Sequence, residues 1–222
     1  MDAPLLLDTP DAIAVAKPPG VVVIPARGED PGASLWHALE RARGERLLVV
    51  HRLDRDTSGV LLFARNAAAH RALSMAFESG GVHKTYLALT DGMPSPEEGV
   101  IDVPLHAARR GRMRPASPGE PGSLPSATGY RVLRRWVTSD GPVAFVEVSP
   151  RTGRQHQVRV HLRYAGAPIL ADPVYGRSAG QAAPRLALHA LRVEVPGLGI
   201  SVEAELAADL AALVAALDGR SS

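Results

Sequence analysis

The sequence predicts an α+β domain with a central, mostly antiparallel mixed sheet and flanking helices. Many short apolar runs with strand-like composition are separated by Gly and Pro turns, and few helical segments lie between them. The helices do not alternate with the strands, as they would in a regular βαβ series. The 222 residues contain no internal repeat and no Pro/Ser linker, so we expect a single domain over residues 1–222.

The N-terminal half is predicted to contain three strands and two helices. Ser34 belongs to a residue type that commonly caps a helix N-terminus, and Gly80 to one that commonly ends a helix. A turn at residues 18–20 separates the first two strands, because Pro and Gly favour turns. The expected elements are strands at 12–17, 21–24 and 60–64, and helices at 34–43 and 67–79.

The C-terminal half is predicted to be richer in strands. Residues 152–155 match a capping box, so we expect a helix from about Gln155 to Gly166. Residues 107–127 are rich in Pro, Gly, Ser and Arg without periodicity, which predicts a long basic loop or hairpin tip. The other expected elements are strands at 85–90, 128–136, 143–148, 186–195 and 200–203, and a closing helix at 205–217.

The composition is that of an ordinary soluble globular protein, with 45% hydrophobic and 22% charged residues. No apolar run reaches the length of about 18 residues that a membrane span requires, and the N-terminus does not resemble a secretory signal. The absence of cysteine excludes disulfide scaffolds, thiolate metal sites and thiol nucleophiles. We therefore expect a cytoplasmic protein without membrane association.

Positive charge is concentrated in residues 104–163, which contain 11 arginines and 3 acidic residues, although the net charge of the chain is only +2. Lys17 and Lys84 are the only lysines. A codon bias toward arginine explains this ratio as well as function does, but it does not explain the concentration in one segment. A local basic surface indicates a polyanionic partner, and RNA is the natural candidate.

The loop at residues 51–59 has the most unusual polar composition in the chain, His-Arg-Leu-Asp-Arg-Asp-Thr-Ser-Gly. A solvated loop that ends in a turn explains most of these residues. It explains Asp54 less well, because Arg52 and Arg55 flank this carboxylate and would keep it ionised. An ionised carboxylate can act as a nucleophile or can stabilise a sugar cation.

A second polar cluster occupies residues 151–161, at the start of the predicted helix. If that helix begins near Gln155, then Gln155 and Arg159 share one face, while Val158 and Leu162 share another. From periodicity alone, a polar face that merely meets water is the preferred interpretation.

These two segments resemble motifs of the RluA family of RNA pseudouridine synthases. HRLDRDTSG at 51–59 resembles the family signature, and TGRQHQVRVHL at 152–162 resembles its later motif. The resemblance covers residues 11–196 and corresponds to the minimal form without an N-terminal S4-type RNA-binding module. Three further segments stand in the family order, namely KPPG at 17–20, KTY at 84–86, and DPVYG at 172–176 followed by LHA at 188–190.

The resemblance implies a pseudouridine synthase fold, split by a catalytic cleft, that isomerises specific uridines in rRNA or tRNA. It implies that Asp54 attacks a flipped-out uridine, that Tyr86 stacks on the base, and that Arg159 pairs with Asp54. Because the atoms balance in this isomerisation, no cofactor is expected. The other substrate-binding residues that we expect are Arg52, Arg55, Thr57, Arg154, His156, Gln157 and Leu188.

The basic segment is the predicted site of RNA backbone contacts. The protein is otherwise expected to act as a monomer. No metal site is expected, because the eight histidines include no HExxH pattern, and His51, His156 and His189 are interpreted as hydrogen-bonded structural residues. The predicted phosphate contacts are Arg109, Arg110, Arg112 and Arg114, together with Arg131, Arg134 and Arg135.

Two other functional classes remain open. A glycoside-type hydrolase could use Asp54 and Asp56 as a carboxylate pair. However, residues two apart in an extended loop point in different directions, and the flanking arginines would suppress the raised pKa that a general acid needs. A non-catalytic RNA-binding protein would explain the basic segment, but it would not explain the Asp54 loop together with the Arg159 helix.

Overall fold

The computed structural model describes residues 3–25, 30–177 and 183–220. The chain forms two compact units. Unit 1 comprises Met1–His83 and Ala190–Ala207, and unit 2 comprises Lys84–His189 and Ala208–Ser222. Both units combine strands with helices, which confirms the predicted α+β class.

The described residues contain twelve strands and four α-helices. The strands are β1 (Leu5–Asp8), β2 (Ala12–Lys17), β3 (Leu48–Val49), β4 (Ser58–Ala64), β5 (His83–Asp91), β6 (Glu98–Asp102), β7 (Leu105–Ala107), β8 (Met113–Pro115), β9 (Ala127–Thr138), β10 (Gly141–Pro150), β11 (Leu188–Val195) and β12 (Ile200–Glu203). The helices are α1 (Leu35–Arg43), α2 (Ala67–Ser79), α3 (Gln157–Tyr164) and α4 (Ala208–Arg220).

Unit 1 is built on antiparallel strand pairs. Strand β2 pairs with β1 and with β4, β3 pairs with β4, and β11 pairs with β12. Every residue of β4 is buried, as expected for a continuous apolar run. Leu62 of β4 lies in a buried cluster with Leu73 of α2 and Val193 of β11, so helix and strands share one apolar core.

The helix boundaries of unit 1 confirm the sequence predictions. Ser34 caps α1 and accepts a hydrogen bond from the N–H of His37, and Gly44 follows the helix in a left-handed conformation. Asn66 caps α2 in the same way, and the left-handed Gly80 ends that helix at the predicted position.

Unit 2 contains a four-stranded antiparallel arrangement in the order β5, β10, β9, β6. An isolated parallel bridge joins Gly92 to Val143, so the strand pairing is mixed. Strands β7 and β8 form a separate antiparallel hairpin, and residues 108–112 form its tip. The segment 107–127, predicted as a basic loop or hairpin tip, therefore begins in a hairpin and continues as a loop to β9.

The strand predicted at residues 21–24 is wrong. The carbonyl oxygens of Val22 and Val23 accept hydrogen bonds from the N–H groups of Leu35 and Trp36 at 3.0 and 3.2 Å. These apolar residues therefore satisfy the exposed donors at the start of α1 and do not join a sheet. The short strands β1 and β6 were not predicted from the sequence, and the closing helix starts three residues later than predicted.

Candidate active site

Asp54 lies in a loop whose backbone is held by two contacts within unit 1. The buried side chain of Lys17 donates from Nζ to the carbonyl oxygen of Arg55 at 2.8 Å. The N–H of Thr57 donates to the carbonyl oxygen of Asp54 at 3.2 Å and closes a turn. Asp54 is half-buried, whereas Arg52 and Arg55 are exposed. Lys17 and the turn therefore fix the backbone that presents the Asp54 carboxylate.

The loop enters β4 through three buried residues, Thr57, Ser58 and Gly59. Gly59 has a φ of +114°, and a Cβ atom at this position would lie 2.1 Å from the carbonyl oxygen of Ala190. A side chain at position 59 would therefore force the loop away from the neighbouring backbone. Thr57, which the resemblance assigns to substrate binding, is itself buried at this point.

His51, the first residue of the loop, is hydrogen-bonded within the fold. Its Nε2 accepts a hydrogen bond from the N–H of Leu62 at 2.9 Å, and its ring stacks on Phe77 with 4.7 Å between centroids. Because a backbone N–H can only donate, Nε2 is the unprotonated nitrogen of the ring. This arrangement agrees with the structural role predicted for His51.

Tyr86 lies on β5 of unit 2, opposite Val148 of β10, and is half-buried. Two residues earlier on the same strand, Lys84 donates from Nζ to the carbonyl oxygen of Thr152 at 3.0 Å. Burial lowers the pKa of Lys84 below its usual value. The Lys84 contact connects the strand that carries Tyr86 to the segment that leads into α3.

Helix α3 begins at Gln157, so the predicted start near Gln155 and the predicted capping box are wrong. The preceding residue, His156, has a φ of +54°, which differs from the extended backbone of a usual capping residue. Oε1 of Gln157 accepts hydrogen bonds from the Thr152 hydroxyl at 2.7 Å and from the N–H of Arg154 at 3.0 Å. Its Nε2 donates to two acceptors on β9. The amide of Gln157, predicted to bind substrate, thus shapes the loop before α3.

Arg159 forms a bidentate ion pair with Asp172. Its Nε and Nη2 atoms donate to the two carboxylate oxygens at 2.8 Å each, and both residues are only 6% exposed. Oδ1 of Asp172 also accepts the N–H groups of Val174 and Tyr175 at 2.9 Å. Burial by itself would raise the pKa of Asp172, but Arg159 and the two N–H groups lower it below its usual value. Asp172 is therefore an anion that holds Arg159 in one orientation.

Tyr175 connects Arg159 to the hairpin of β7 and β8. The Arg159 guanidinium carbon lies 5.1 Å from the centroid of the Tyr175 ring. The Tyr175 hydroxyl accepts a hydrogen bond from the N–H of Met113 and forms another with Nδ1 of His156, both at 2.8 Å. His156, which was predicted both as a structural and as a substrate-binding residue, thus belongs to this hydrogen-bonded group.

The arginines predicted to bind RNA differ in their partners. Arg109, Arg110 and Arg112 are exposed in or beside the hairpin tip, and no carboxylate among the described residues pairs with them. Their positive charge is therefore not compensated locally. The other four form ion pairs, namely Arg114 with Glu120, Arg131 with Glu147, Arg134 with Asp218 and Arg135 with Glu97.

The remaining predicted substrate-binding residues, Arg154 and Leu188, lie in different environments. Arg154 is exposed and donates from Nε to the carbonyl oxygen of Pro125 at 3.2 Å, while Leu188 is buried at the start of β11. The sequence gave no role to Lys17 or Asp172. Both lie in segments that carry the family resemblance, but their contacts with the Asp54 loop and with Arg159 are visible only in the folded chain.

Two further searches concern metal binding and membranes. Within residues 3–25, 30–177 and 183–220, no three His, Asp or Glu side chains are grouped so that they could hold a metal ion. In the same part of the chain, no helix combines the length and apolar character needed to cross a membrane.

A family model described as RNA pseudouridylate synthase matches residues 11–164. The chain belongs to the RNA pseudouridylate synthase family. It is 44% identical over 166 residues to an uncharacterized RNA pseudouridine synthase of Chloroflexus aurantiacus, a match that covers 72% of this chain and 50% of the relative. It is 36% identical over 231 residues to ribosomal large subunit pseudouridine synthase D of Nitrosomonas europaea, covering 96% of this chain and 64% of the relative. The match therefore spans half to just under two thirds of these relatives.

A third relative shows which branch of the RNA pseudouridylate synthase family the chain resembles. The dual-specificity RNA pseudouridine synthase RluA of Vibrio vulnificus is 36% identical over 188 residues, which cover 84% of this chain and 74% of the relative. The predicted membership in the RluA group is thereby confirmed.

Solved structures confirm the fold of this RNA pseudouridylate synthase family member. Human RNA pseudouridylate synthase domain containing 1 matches with a TM-score of 0.78 and 27% identity, covering 98% of this chain and 95% of that chain. Human RNA pseudouridylate synthase domain containing 4 matches with a TM-score of 0.77 and 24% identity, covering 96% and 92%. The second likeness concerns the fold alone.

Proposed function

We propose that this chain converts specific uridines of ribosomal or transfer RNA to pseudouridine, with Asp54 as the nucleophile. In this isomerisation the bond between N1 of the base and C1′ of the ribose breaks, and C1′ is rejoined to C5. C5 loses its hydrogen and N1 gains one, so the product has the same composition as the substrate. The reaction therefore requires a positioned nucleophile and a flipped-out base, but no redox partner.

The fixed conformation of the Asp54 loop is the observation that carries the proposal. The Nζ of Lys17 binds the carbonyl oxygen of the residue after Asp54, and the turn to Thr57 closes the loop on the other side. A nucleophile whose position is fixed before the substrate arrives loses less entropy on the way to the transition state. The loop belongs to the segment that the RNA pseudouridylate synthase family model covers.

The roles that we propose for the other site residues follow the family resemblance. Tyr86 stacks on the flipped base, a role supported by its half-buried position on a central strand of unit 2. Arg159 keeps the Asp54 carboxylate ionised, and Arg52 stabilises the displaced nucleotide. The buried, oriented guanidinium of Arg159 is suited to such electrostatic work.

The proposed substrate class rests on the names of relatives and on the charge of the hairpin tip. One relative is named for the large ribosomal subunit and another for dual specificity. For this chain we propose that Arg109, Arg110 and Arg112 contact RNA phosphates, because they are exposed and have no carboxylate partner among the described residues. Phosphate contacts position the RNA, while the base is selected elsewhere.

The rival classes give different products in one experiment. RNA labelled with tritium at uridine C5 is prepared from cells that lack the enzyme, so that its sites are unmodified. A pseudouridine synthase releases tritium to water and no free base. A glycoside-type hydrolase would release free uracil, and a non-catalytic RNA-binding protein would release neither while still binding the RNA. Separate incubation with ribosomal and transfer RNA assigns the substrate class.

A further inference from the structure

We propose that Asp172 is a positioning residue of the active site, which acts by fixing the orientation of the Arg159 guanidinium. The inference rests on the proposed function, because it gives a catalytic purpose to the surroundings of Arg159. Asp172 lies 13 residues after Arg159 and is presented by the turn at residues 172–176, outside the two polar clusters that the sequence indicates.

Asp172 restrains the guanidinium within its own plane. Nε and Nη2 of Arg159 each donate to a different carboxylate oxygen at 2.8 Å, and two parallel hydrogen bonds prevent rotation about either one. The side chain of Asp172 is fully buried, so water does not compete for these hydrogen bonds. The N–H groups of Val174 and Tyr175 hold the carboxylate from the other side.

Tyr175 restrains the guanidinium out of its plane. Its ring lies against Arg159, with 5.1 Å from the guanidinium carbon to the ring centroid. The ring is itself fixed, because its hydroxyl binds Met113 and His156 and its carbonyl oxygen accepts a hydrogen bond from Nη1 of Arg163 at 2.8 Å. Arg159 is thus restrained in two independent directions.

The turn that carries Asp172 and Tyr175 depends on Gly176. The N–H of Gly176 donates to the carbonyl oxygen of Asp172 at 3.0 Å. A Cβ atom at position 176 would lie 2.5 Å from that oxygen. The close approach of the two backbone groups therefore gives the turn a single shape and sets the position of the Asp172 carboxylate.

This arrangement contributes orientation more than charge. The carboxylate of Asp172 balances the charge of Arg159, so the pair adds little to the attraction of RNA phosphates. The hydrogen bonds of the pair use Nε and Nη2, and the N–H groups of Nη1 point away from Asp172. Loss of the Asp172 charge should therefore slow the chemical step while it changes RNA affinity little.

The test compares Asp172→Asn with Asp91→Asn, a matched control. Asp91 is also 6% exposed and also pairs with an arginine, Arg177, but no role in the reaction is proposed for it. Single-turnover tritium release, RNA affinity and thermal unfolding are measured for each variant. We expect Asp172→Asn to react about 100-fold more slowly with RNA affinity within about threefold of wild type, and Asp91→Asn to react within about threefold of wild type.

A double-mutant cycle with Arg159→Lys separates positioning from a merely structural role. If Asp172 acts through Arg159, the double variant should react no more than about threefold more slowly than Arg159→Lys alone. Multiplication of the two losses would overturn the proposal, and so would a wild-type rate for folded Asp172→Asn. If Asp172→Asn does not fold, Asp172→Glu keeps the charge but shifts the guanidinium, and a wild-type rate for it would overturn the proposal.

The outcomes also separate this inference from the proposed function. If wild-type protein releases tritium and the Asp172 variants do so at the same rate, the inference alone fails. If folded, RNA-bound wild-type protein releases no tritium from any RNA, the proposed function fails and the inference fails with it.

Discussion

The Nζ atom of Lys17 lies 2.8 Å from the carbonyl oxygen of Arg55, the residue that follows Asp54. The side chain of Lys17 is only 1% exposed, and its Nζ also donates to the carbonyl oxygen of Pro18 at 2.7 Å. A lysine is rarely buried to this degree unless its donors are engaged. The contact connects the turn at residues 18–20 to the loop that presents the proposed nucleophile.

Replacement of Lys17 by Met should destabilise unit 1 and the Asp54 loop. The carbonyl oxygens of Pro18 and Arg55 would lose this donor, and a buried acceptor left unsatisfied costs about 1–3 kcal/mol. We therefore expect the free energy of unfolding in urea to fall by about 2 kcal/mol or more. Arg192→Met is the control, because Arg192 forms an exposed ion pair with Glu203 that should contribute less than about 1 kcal/mol. Equal losses in both variants would contradict this account.

Gly59 and Gly20 provide a matched pair for testing the close approach to Ala190. Both have positive φ angles, +114° and +78°, but a Cβ atom at Gly20 meets no other atom within 4 Å. Gly20→Ala should therefore lose only the backbone term of about 1–2 kcal/mol. Gly59→Ala adds a clash with a backbone oxygen and should be much less stable or fail to accumulate as folded protein. Urea unfolding and soluble yield measure the difference, and similar stability of the two variants would refute the predicted clash.

The arginines of the hairpin tip should contribute more to RNA binding than the paired arginines of β9. The triple variant that changes Arg109, Arg110 and Arg112 to Gln removes charges that no described carboxylate balances. Each lost phosphate contact should reduce the slope of log affinity against log salt concentration by about 0.7–0.9, so a total of about 2 is expected. This slope and the affinity are measured by filter binding at several salt concentrations.

The control for the hairpin tip is a triple Gln variant of three arginines on β9. Their ion pairs already compensate their charge, so RNA affinity should change by less than about threefold. A larger effect in this control than in the hairpin variant would reverse the assignment. The control comprises Arg131, Arg134 and Arg135.

The Asp172–Arg159 ion pair should make stability depend on pH in the acid range. The pKa of Asp172 is lowered in the folded chain, so the unfolded chain binds this proton at a higher pH than the folded chain does. The stabilisation is therefore complete above the unfolded pKa of about 4 and is lost as the pH falls through the lower folded pKa. Urea unfolding of wild type and Asp172→Asn should show a constant difference between pH 7 and 5 that shrinks below about pH 4. A difference that grows as the pH falls would contradict the assigned direction.

The sequence predicted those elements whose signals are local. The helix α2 ends at Gly80 because a left-handed residue is needed there, and glycine announces that need within the segment itself. By contrast, residues 21–24 have the composition of a strand, but their carbonyl oxygens are used by the N-terminus of α1 about twelve residues later. Composition alone does not indicate which distant group will use a backbone acceptor.

The candidate site shows the same division between local and distant signals. Asp54 stood out because two arginines flank it in the sequence, and the family resemblance added Tyr86 and Arg159. The start of α3 was misplaced because Gln157, rather than Gln155, accepts the hydroxyl of Thr152. The role of Asp172 depends on a turn that returns to α3, and no spacing rule relates a helix to a later turn.

The most direct test of the central claim is tritium release from uridine-C5-labelled RNA by wild-type protein and by Asp54→Asn. The substitution keeps the size of the side chain but removes the nucleophilic charge. We expect wild-type protein to release tritium, and we expect Asp54→Asn to fold, to bind the same RNA and to release none above background. Tritium release by Asp54→Asn at a rate near that of wild type would contradict the assignment of Asp54 as the nucleophile.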